Sequence, residues 1–360
     1  MEGYLPQFGA LSGIQPVSSP QHPLPFGLLG LLDGIDRKPR NRYEWENRFE
    51  LWQRPESETE EQHIDTITDR VRRAMRHSRF MAERNWKIMP QGSHHNNTNT
   101  RAESDIDLCI CLTDVFFVDG PPNDWPSNAE LNRVLVPFTF AQYREHIAWC
   151  LKQEFGEAAI KIGNKAIHLN KDSADKINAD IVPAYMFEQY RPRVPPYWFR
   201  DEPNRGIAFL TRSEQRRITN FPEQHYSNGI AKNKRTDRRY KSVVRVLKRI
   251  RNHITDNPQT PQVVSTLAKD TPSFLIESMV FNCPDFNFGQ LSIYDDVVAV
   301  LYWLRSALKN RDPLMTLLNM LPWQQWQEVN QVKTLFGDGQ EWRIEEATAF
   351  VDVMLAYLEG

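Results

Sequence analysis

The 360-residue sequence contains only four cysteines, Cys109, Cys111, Cys150 and Cys283, too few for a disulfide framework in a chain of this length. A reduced, cytoplasmic protein is therefore the expectation. Cys109 and Cys111 stand in an alternating apolar run with no second cysteine pair, which argues against a zinc site. No stretch approaches the ~20 apolar residues that would span a bilayer. The run Pro25 to Leu32 is too short and too glycine-broken for a secretory signal. A surplus of one charge is missing as well. Acidic residues number 46 and basic residues 44, a net charge of −2, so no general attraction to a polyanion is expected and a long nucleic-acid substrate is disfavoured. The phosphate-loop, dinucleotide-binding, zinc-protease and nucleophile-elbow patterns do not occur.

What is there suits a globular protein. Hydrophobic residues make up 40% and charged residues 25%, enough to bury a core, and the length favours two domains. Residues 1–40 are punctuated by Pro6, Pro16, Pro20, Pro23, Pro25 and Pro39 and read as an extended Pro/Gly-rich tail. From Tyr43 to Arg84, Ile64, Ile67, Val71 and Met75 recur at helical spacing, which predicts one or two helices. Strands are predicted at Trp86 to Met89, Asp105 to Leu112, Ala159 to Leu169 and Ile177 to Tyr185, with a Pro-rich loop at Gly120 to Pro126 and a helix from about Phe140 to Phe155. This makes a small mixed sheet of α/β or α+β class. After about Gly206 the pattern turns helical, most clearly from Asp237 to His253, and again near Ser273–Val280, Leu291–Lys309 and Glu345–Glu359. The expected division is a sheet-containing core at 41–205 and a helical lobe at 206–360, with the site in the cleft between them.

The strongest chemical signal is Gly92-Ser93, eleven residues, then Asp105-Ile106-Asp107. Side chains alternate along a strand, so Asp105 and Asp107 share one face while Ile106, Leu108, Ile110 and Leu112 point to the core. Two carboxylates crowded on a buried strand are costly unless a cation compensates them. Hard oxygen ligands suit Mg²⁺ or Mn²⁺, and two such ions ~3.5–4 Å apart clamp the attacking and leaving oxygens of phosphoryl transfer. Gly92 would let the backbone approach a triphosphate that Ser93 could hold. Asp180, in the short apolar run Ile177 to Ala184, could complete the metal cage and take a proton from an attacking hydroxyl, or could equally be an edge aspartate facing water. Lys241, Arg245, Lys248 and Asn252 fall on one stripe of the Asp237–His253 helix. On pattern alone that stripe reads as a solvated face, although the basic density from Arg191 to Arg251 would also suit a cleft wall facing phosphates.

The run Gln91-Gly92-Ser93-His94-His95-Asn96-Asn97-Thr98-Asn99-Thr100-Arg101, followed by Ser104-Asp105-Ile106-Asp107-Leu108, resembles the signature of the bacterial CD-NTases. These enzymes are related to cyclic GMP-AMP synthase and oligoadenylate synthetase and serve CBASS anti-phage signalling. The likeness continues through Ile162 to Ile167, Ala179 to Ala184, Asn228-Gly229, Lys232-Asn233, Thr236, Lys241 to Lys248 and Pro272 to Glu277, and so covers roughly Ile64 to Pro284. It implies an α+β fold of the polymerase-beta-like nucleotidyltransferase superfamily, with a mixed-sheet lobe packed on a helical C-terminal lobe. It implies that Gln91, Gly92 and Ser93 bind a triphosphate, that Asp105, Asp107 and Asp180 hold two Mg²⁺ or Mn²⁺ ions and act as the catalytic carboxylates, that Lys248 and Ser273 touch donor phosphates, and that Phe274 stacks on a base. His94 stands where many relatives carry tyrosine. The activity implied is synthesis of a cyclic oligonucleotide messenger from nucleoside triphosphates, with ATP and GTP as leading substrates and a purine-containing dinucleotide such as cyclic GMP-AMP as product. Further partners implied are a downstream effector reached through the diffusible product and a ubiquitin-transferase-like or other CBASS accessory protein, a ubiquitin-transferase-like partner conjugating through the C-terminus, where Gly360 stands. Nucleotide addition to an RNA or protein acceptor, or a silent nucleotide-binding scaffold, are the alternatives.

Overall fold

The computed structural model describes residues 38–55, 58–100, 105–120, 136–170, 178–190, 202–309, 323–337 and 339–359. The expected tail at 1–40 lies outside the described residues up to position 37, as do Arg101, Ser104, positions 121–126 of the Pro-rich loop and Gly360.

Seven strands among the described residues form one mixed sheet. Strand β1 (Trp86–Gln91) pairs antiparallel with β2 (Ile106–Asp119), and β2 runs parallel to β5 (Ala179–Gln189). The other edge of β5 is shared. Its start pairs with β4 (Ile167–Leu169), which pairs in turn with β3 (Ile160–Ile162). Its later part, Tyr185 to Gln189, pairs with β6 (Asn204–Leu210), which leads to β7 (Arg217–Asn220). Pro183, with no N–H to donate, falls between these two pairings. The single strand expected over Ala159 to Leu169 is thus a tight pair, β3 and β4.

Strand β2 departs from simple alternation. Leu108, Cys109, Ile110, Cys111 and Leu112 are all fully buried, so both faces are covered through the middle of the strand, as is usual for a strand paired in parallel. The cysteines act as small apolar side chains and remain free thiols. Helices α2 (Glu58–Arg76) and α3 (Phe140–Phe155) pack in the same core through Ile67, Val71 and Met75 and through Tyr143, Ile147 and Leu151. A capping box formed by Thr139 and Gln142 starts α3, and Tyr143 Oη donates to the Ile110 carbonyl at 2.9 Å.

The second core is helical: α4 (Pro222–Arg235), α5 (Arg239–Asp256), α6 (Gln262–Asp270), α7 (Ser273–Asn282), α8 (Ile293–Leu308) and α9 (Ile344–Glu359). Helix α5 runs through it with Tyr240, Val243, Val244, Leu247, Ile250 and Ile254 buried. It starts two residues later than the sequence suggests because Asp237 and Arg238 take left-handed conformations, φ 47° and 66°.

Two boundaries differ from the sequence reading. The sheet continues past residue 206 to Asn220, because the short apolar run Ile207 to Phe209 is buried as the middle of β6 rather than as helix. Helix α1 (Arg42–Trp52), expected to open the sheet-containing core, instead packs Trp45, Phe49 and Trp52 into the helical core. Its aromatic rings decide this. Phe49 stacks on Tyr294 at 5.9 Å and Trp45 meets Tyr357 edge-on at 6.0 Å, while Arg42 pairs with Asp295 at 2.7 Å. The helical lobe is therefore made from both ends of the described chain. No described helix is long and apolar enough to cross a membrane.

Trp45 is 2% exposed and Trp149 is 53% exposed. Trp45→Ala is expected to cost about 3–5 kcal/mol in urea unfolding, whereas Trp149→Ala should fall within about 0.5 kcal/mol of the parent.

Candidate active site

The sheet register builds the site. Gln91 on β1 lies opposite Asp107 on β2, Asp107 opposite Asp180 on β5, and Asp180 opposite His168 on β4. Four polar side chains thus form one row across four strands. Asp105 precedes β2 by one residue, two positions from Asp107. Among the nine residues singled out from the sequence, Gly92, Ser93, Asp105, Asp107, Asp180, Lys248, Ser273 and Phe274 line one cleft of about 500 Å³. Gln91 lines an adjoining hollow of about 330 Å³ that shares Gly92, Asp107, Asp180 and Phe274 with it.

Gly92 is required at its position twice over. Its φ is +68°, and a Cβ there would lie 1.8 Å from Asp107 Oδ2. The residues Gly92–His95 make a single helical turn that closes when Asn96 N donates to the Gly92 carbonyl and Thr98 N donates to the Ser93 carbonyl. The turn is thereby pressed against the Asp107 carboxylate.

Burial pushes the Asp107 carboxyl up to about 6, and the neighbouring carboxylates of Asp180 and Asp105 add to the shift against the opposing pull of His94 and Lys248. Asp105 accepts from Asn178 Nδ2 at 2.9 Å, and Asp180 Oδ1 accepts from His168 Nδ1 at 2.6 Å. Among the described residues no three such side chains already converge on a single point. The donor set nonetheless fits a hard divalent cation, because it is all carboxylate oxygen and its most buried member is strained by like charge.

The opposite wall comes from the helical lobe. Here the structure corrects the reading of the α5 stripe as a solvated face: Lys241, Arg245 and Lys248 are all buried. Arg245 donates Nε to the Gln53 carbonyl and Nη1 to the Asn97 carbonyl, each at 2.6 Å, and burial pushes its guanidinium down to about 10. It ties the end of α1 to the loop after the glycine turn. Lys248 Nζ lies 3.5 Å from Thr98 Oγ1. Lys241 sits over the Tyr226 ring, which stacks on His95 at 4.4 Å. Arg251 donates to Ser273 Oγ at 3.0 Å, and Phe274 packs between His225 and Trp342, with ring centroids 5.6 and 5.5 Å away.

Two carboxylates in register beside a glycine turn, faced by the buried Lys248, have the chemistry to receive an anionic ligand together with a divalent cation. The comparisons agree with that chemistry. Residues 227–359 match the family model described as the cGAS/DncV-like nucleotidyltransferase C-terminal helical domain. A curated relative from Legionella pneumophila, named cyclic dipyrimidine nucleotide synthase CdnE, is 30% identical over 321 residues, covering 88% of this chain and 98% of that one. The chain belongs to the bacterial CD-NTases, the cGAS/DncV-like nucleotidyltransferases. Two solved CD-NTases share the fold. The Rhodothermus marinus CdnE c-UMP-AMP synthase, determined with Apcpp and Upnpp, matches with a TM-score of 0.70 at 24% identity, over 89% of this chain and 97% of that one. The Elizabethkingia meningoseptica CdnE cyclic dinucleotide synthase, determined with GTP and Apcpp, matches with a TM-score of 0.67 at 26% identity, over 88% and 99%. The α+β class, a mixed sheet with a helical C-terminal lobe, is that of these enzymes.

Several residues of this CD-NTase site escaped the sequence reading. His168 stands between the buried Ile167 and Leu169, and alternation alone would have turned it to the face away from them. Its partnership with Asp180 depends on the β4–β5 register. His225 carries no local pattern, and Thr98 and Glu277 stand in stretches that carry the resemblance but gain no role from it; the three meet only in the folded chain.

Gly92→Ala is expected to lower nucleotidyl transfer by about 100-fold or more, since it displaces Asp107 or the turn by over an ångström. Asp107→Asn tests the carboxylate crowding in metal-free protein. The folded-state carboxyl, raised from 3.8 to about 6, favours folding at low pH and loses that contribution as pH rises through 6. The variant should therefore melt higher than the parent at pH 7.5, with the gap closing towards pH 4, as read by thermal unfolding.

Proposed function

We propose that this CD-NTase joins two nucleoside triphosphates and then closes them into a cyclic dinucleotide, releasing pyrophosphate at each transfer. The alignment of Asp107 and Asp180 on adjacent parallel strands, directly beside the Gly92 turn, carries this reading. Gly92 and Ser93 cradle the donor triphosphate, Lys248 and Ser273 approach its phosphates from the helical side, and Gln91 and Phe274 contact the nucleotides where the two compartments meet. Asp105, Asp107 and Asp180 would hold two Mg²⁺ or Mn²⁺ ions, which would supply charge neutralisation at the reacting phosphates. The acceptor hydroxyl oxygen bonds to the α-phosphorus as the bond to pyrophosphate breaks, and its proton passes to Asp180, which His168 keeps oriented. Catalysis comes from positioning and charge, without a covalent intermediate.

The bases are a finer matter. A purine-containing ring such as cyclic GMP-AMP, from ATP and GTP, is what the sequence resemblance implies. The 30% identity to a relative named as a dipyrimidine synthase favours at least one pyrimidine in the ring. In either case the product is a diffusible signal for an effector in anti-phage defence, with an accessory protein acting outside the chemistry.

Purified protein given all four NTPs with Mg²⁺ or Mn²⁺ and no primer should yield a phosphatase-resistant species at the mass of a cyclic dinucleotide. The mass identifies the bases. Asp105→Ala combined with Asp107→Ala should reduce the yield by roughly 1,000-fold or more while leaving the fold intact by circular dichroism. Product that forms only when RNA or protein is supplied as acceptor would replace this reading with terminal transfer.

A further inference from the structure

On the helical side of the cleft, Lys248 ends a buried polar chain whose other members, Thr98, Glu277 and His225, the proposed chemistry does not use. Glu277 on α7 is 3% exposed, and its two oxygens serve different partners. Oε1 lies 3.0 Å from His225 Nε2 on α4, and Oε2 accepts from Thr98 Oγ1 at 3.0 Å. Thr98 has a single hydroxyl proton, which goes to Glu277, so its lone pairs are what it offers to Lys248 Nζ at 3.5 Å. Although burial alone would raise the carboxyl, His225, Lys248 and Thr98 outweigh it and hold Glu277 below its ordinary value. The carboxylate thus accepts from Thr98 on one oxygen and faces the His225 ring nitrogen with the other.

Stability by itself is a poor explanation for this arrangement. Buried charge clusters are often no more stabilising than apolar side chains of the same volume, because desolvation offsets the attraction. The location says more. His225, Lys248 and Glu277 all line the cleft beside Ser93 and Ser273. Thr98 ends the loop that the glycine turn begins, and its N–H donates to the Ser93 carbonyl at 2.9 Å. One buried anion thus holds His225 from the helical lobe and Thr98 at the far end of the turn from the sheet lobe, and reaches Lys248 through Thr98.

We infer that Glu277 is a positioning residue for the nucleotide, setting through Thr98, Lys248 and His225 where the triphosphate cradle stands relative to the helical wall. The inference rests on the proposed use of nucleoside triphosphates. With a triphosphate bound, Lys248 and His225 stand between phosphate on one side and Glu277 on the other. Without Glu277 they lose their fixed direction, and Ser93 loses its tether to α7.

The test compares the full-length parent with Glu277→Gln, which keeps the shape and removes the charge, with Thr98→Val, which removes the hydroxyl alone, and with the double variant. Calorimetric binding of a non-hydrolysable NTP analogue in Mg²⁺ is the primary readout, with KM, kcat and melting temperature alongside. Each single variant should weaken binding by about tenfold, the scale of one hydrogen bond to a charged group. The loss should fall on KM more than on kcat. The double variant should bind no worse than the weaker single variant, because both changes break one chain. Lowered melting temperatures with unchanged analogue affinity would overturn the inference and leave Glu277 a structural residue. So would losses that multiply in the double variant. If Glu277→Gln does not fold, Thr98→Val alone still decides. A parent that binds no NTP analogue would refute the proposed function itself, an outcome distinct from either of these.

Discussion

Everything at the centre of this molecule answers to one repulsion. Strands β2 and β5 run parallel with Asp107 and Asp180 in register, and Asp105 stands two residues away. Three carboxylates so close, with Asp107 half-buried, cannot all be ionised without cost in the free protein. The surroundings distribute that cost. His168 takes one oxygen of Asp180, Asn178 takes one of Asp105, and His94 and Lys248 draw on Asp107 from the turn and from the helical lobe. What remains uncompensated is negative charge, which a divalent cation would neutralise. Stability is held back here in favour of binding, as is usual at a functional site.

The same constraint explains why the glycine turn and the helical lobe are built as they are. A side chain at position 92 would collide with the Asp107 carboxylate, so the turn must carry glycine in a left-handed conformation to lie against it. Loops held this tightly need support. Arg245 supplies it by bonding the Asn97 carbonyl, and the same guanidinium bonds Gln53 at the end of α1. Helix α5 therefore works on two sides. Val243, Val244, Leu247 and Ile250 anchor it in the helical core, while Arg245 and Lys248 reach across to Asn97 and Thr98 in the loop after the glycine turn. The cleft is where two lobes that do not share a core are joined by buried polar contacts.

The local chemistry was legible in the chain because it depends on short-range geometry. Strand alternation puts Asp105 and Asp107 on one face, and a glycine just before a serine marks a place where backbone can come close to a ligand. The helix around Val243 to Ile250 announced itself by its period. Other features depend on partners far along the chain. The stripe Lys241, Arg245 and Lys248 has the same spacing whether it faces water or a cleft, and only the packing of α4, α7 and the turn around it shows that it is buried. The apolar stretch Ile207 to Phe209 fits either a strand or part of a helix, and the open edge of β5 decides for strand. Helix α1 joins the helical lobe because aromatic partners more than 200 residues away receive it.

By itself, then, the sequence determined the kind of chemistry: a glycine turn and paired carboxylates at a spacing that puts them together, in a chain long enough for two lobes. Those are consequences of backbone periodicity, which every residue carries with it. The tertiary structure decided which groups tune the chemistry. His168 meets Asp180 through strand register, Arg245 meets Asn97 across the lobes, and Glu277 gathers His225, Thr98 and, through it, Lys248. Each of these contacts joins segments that no local rule relates, and burial determines whether a charge there is left to water or must find a partner.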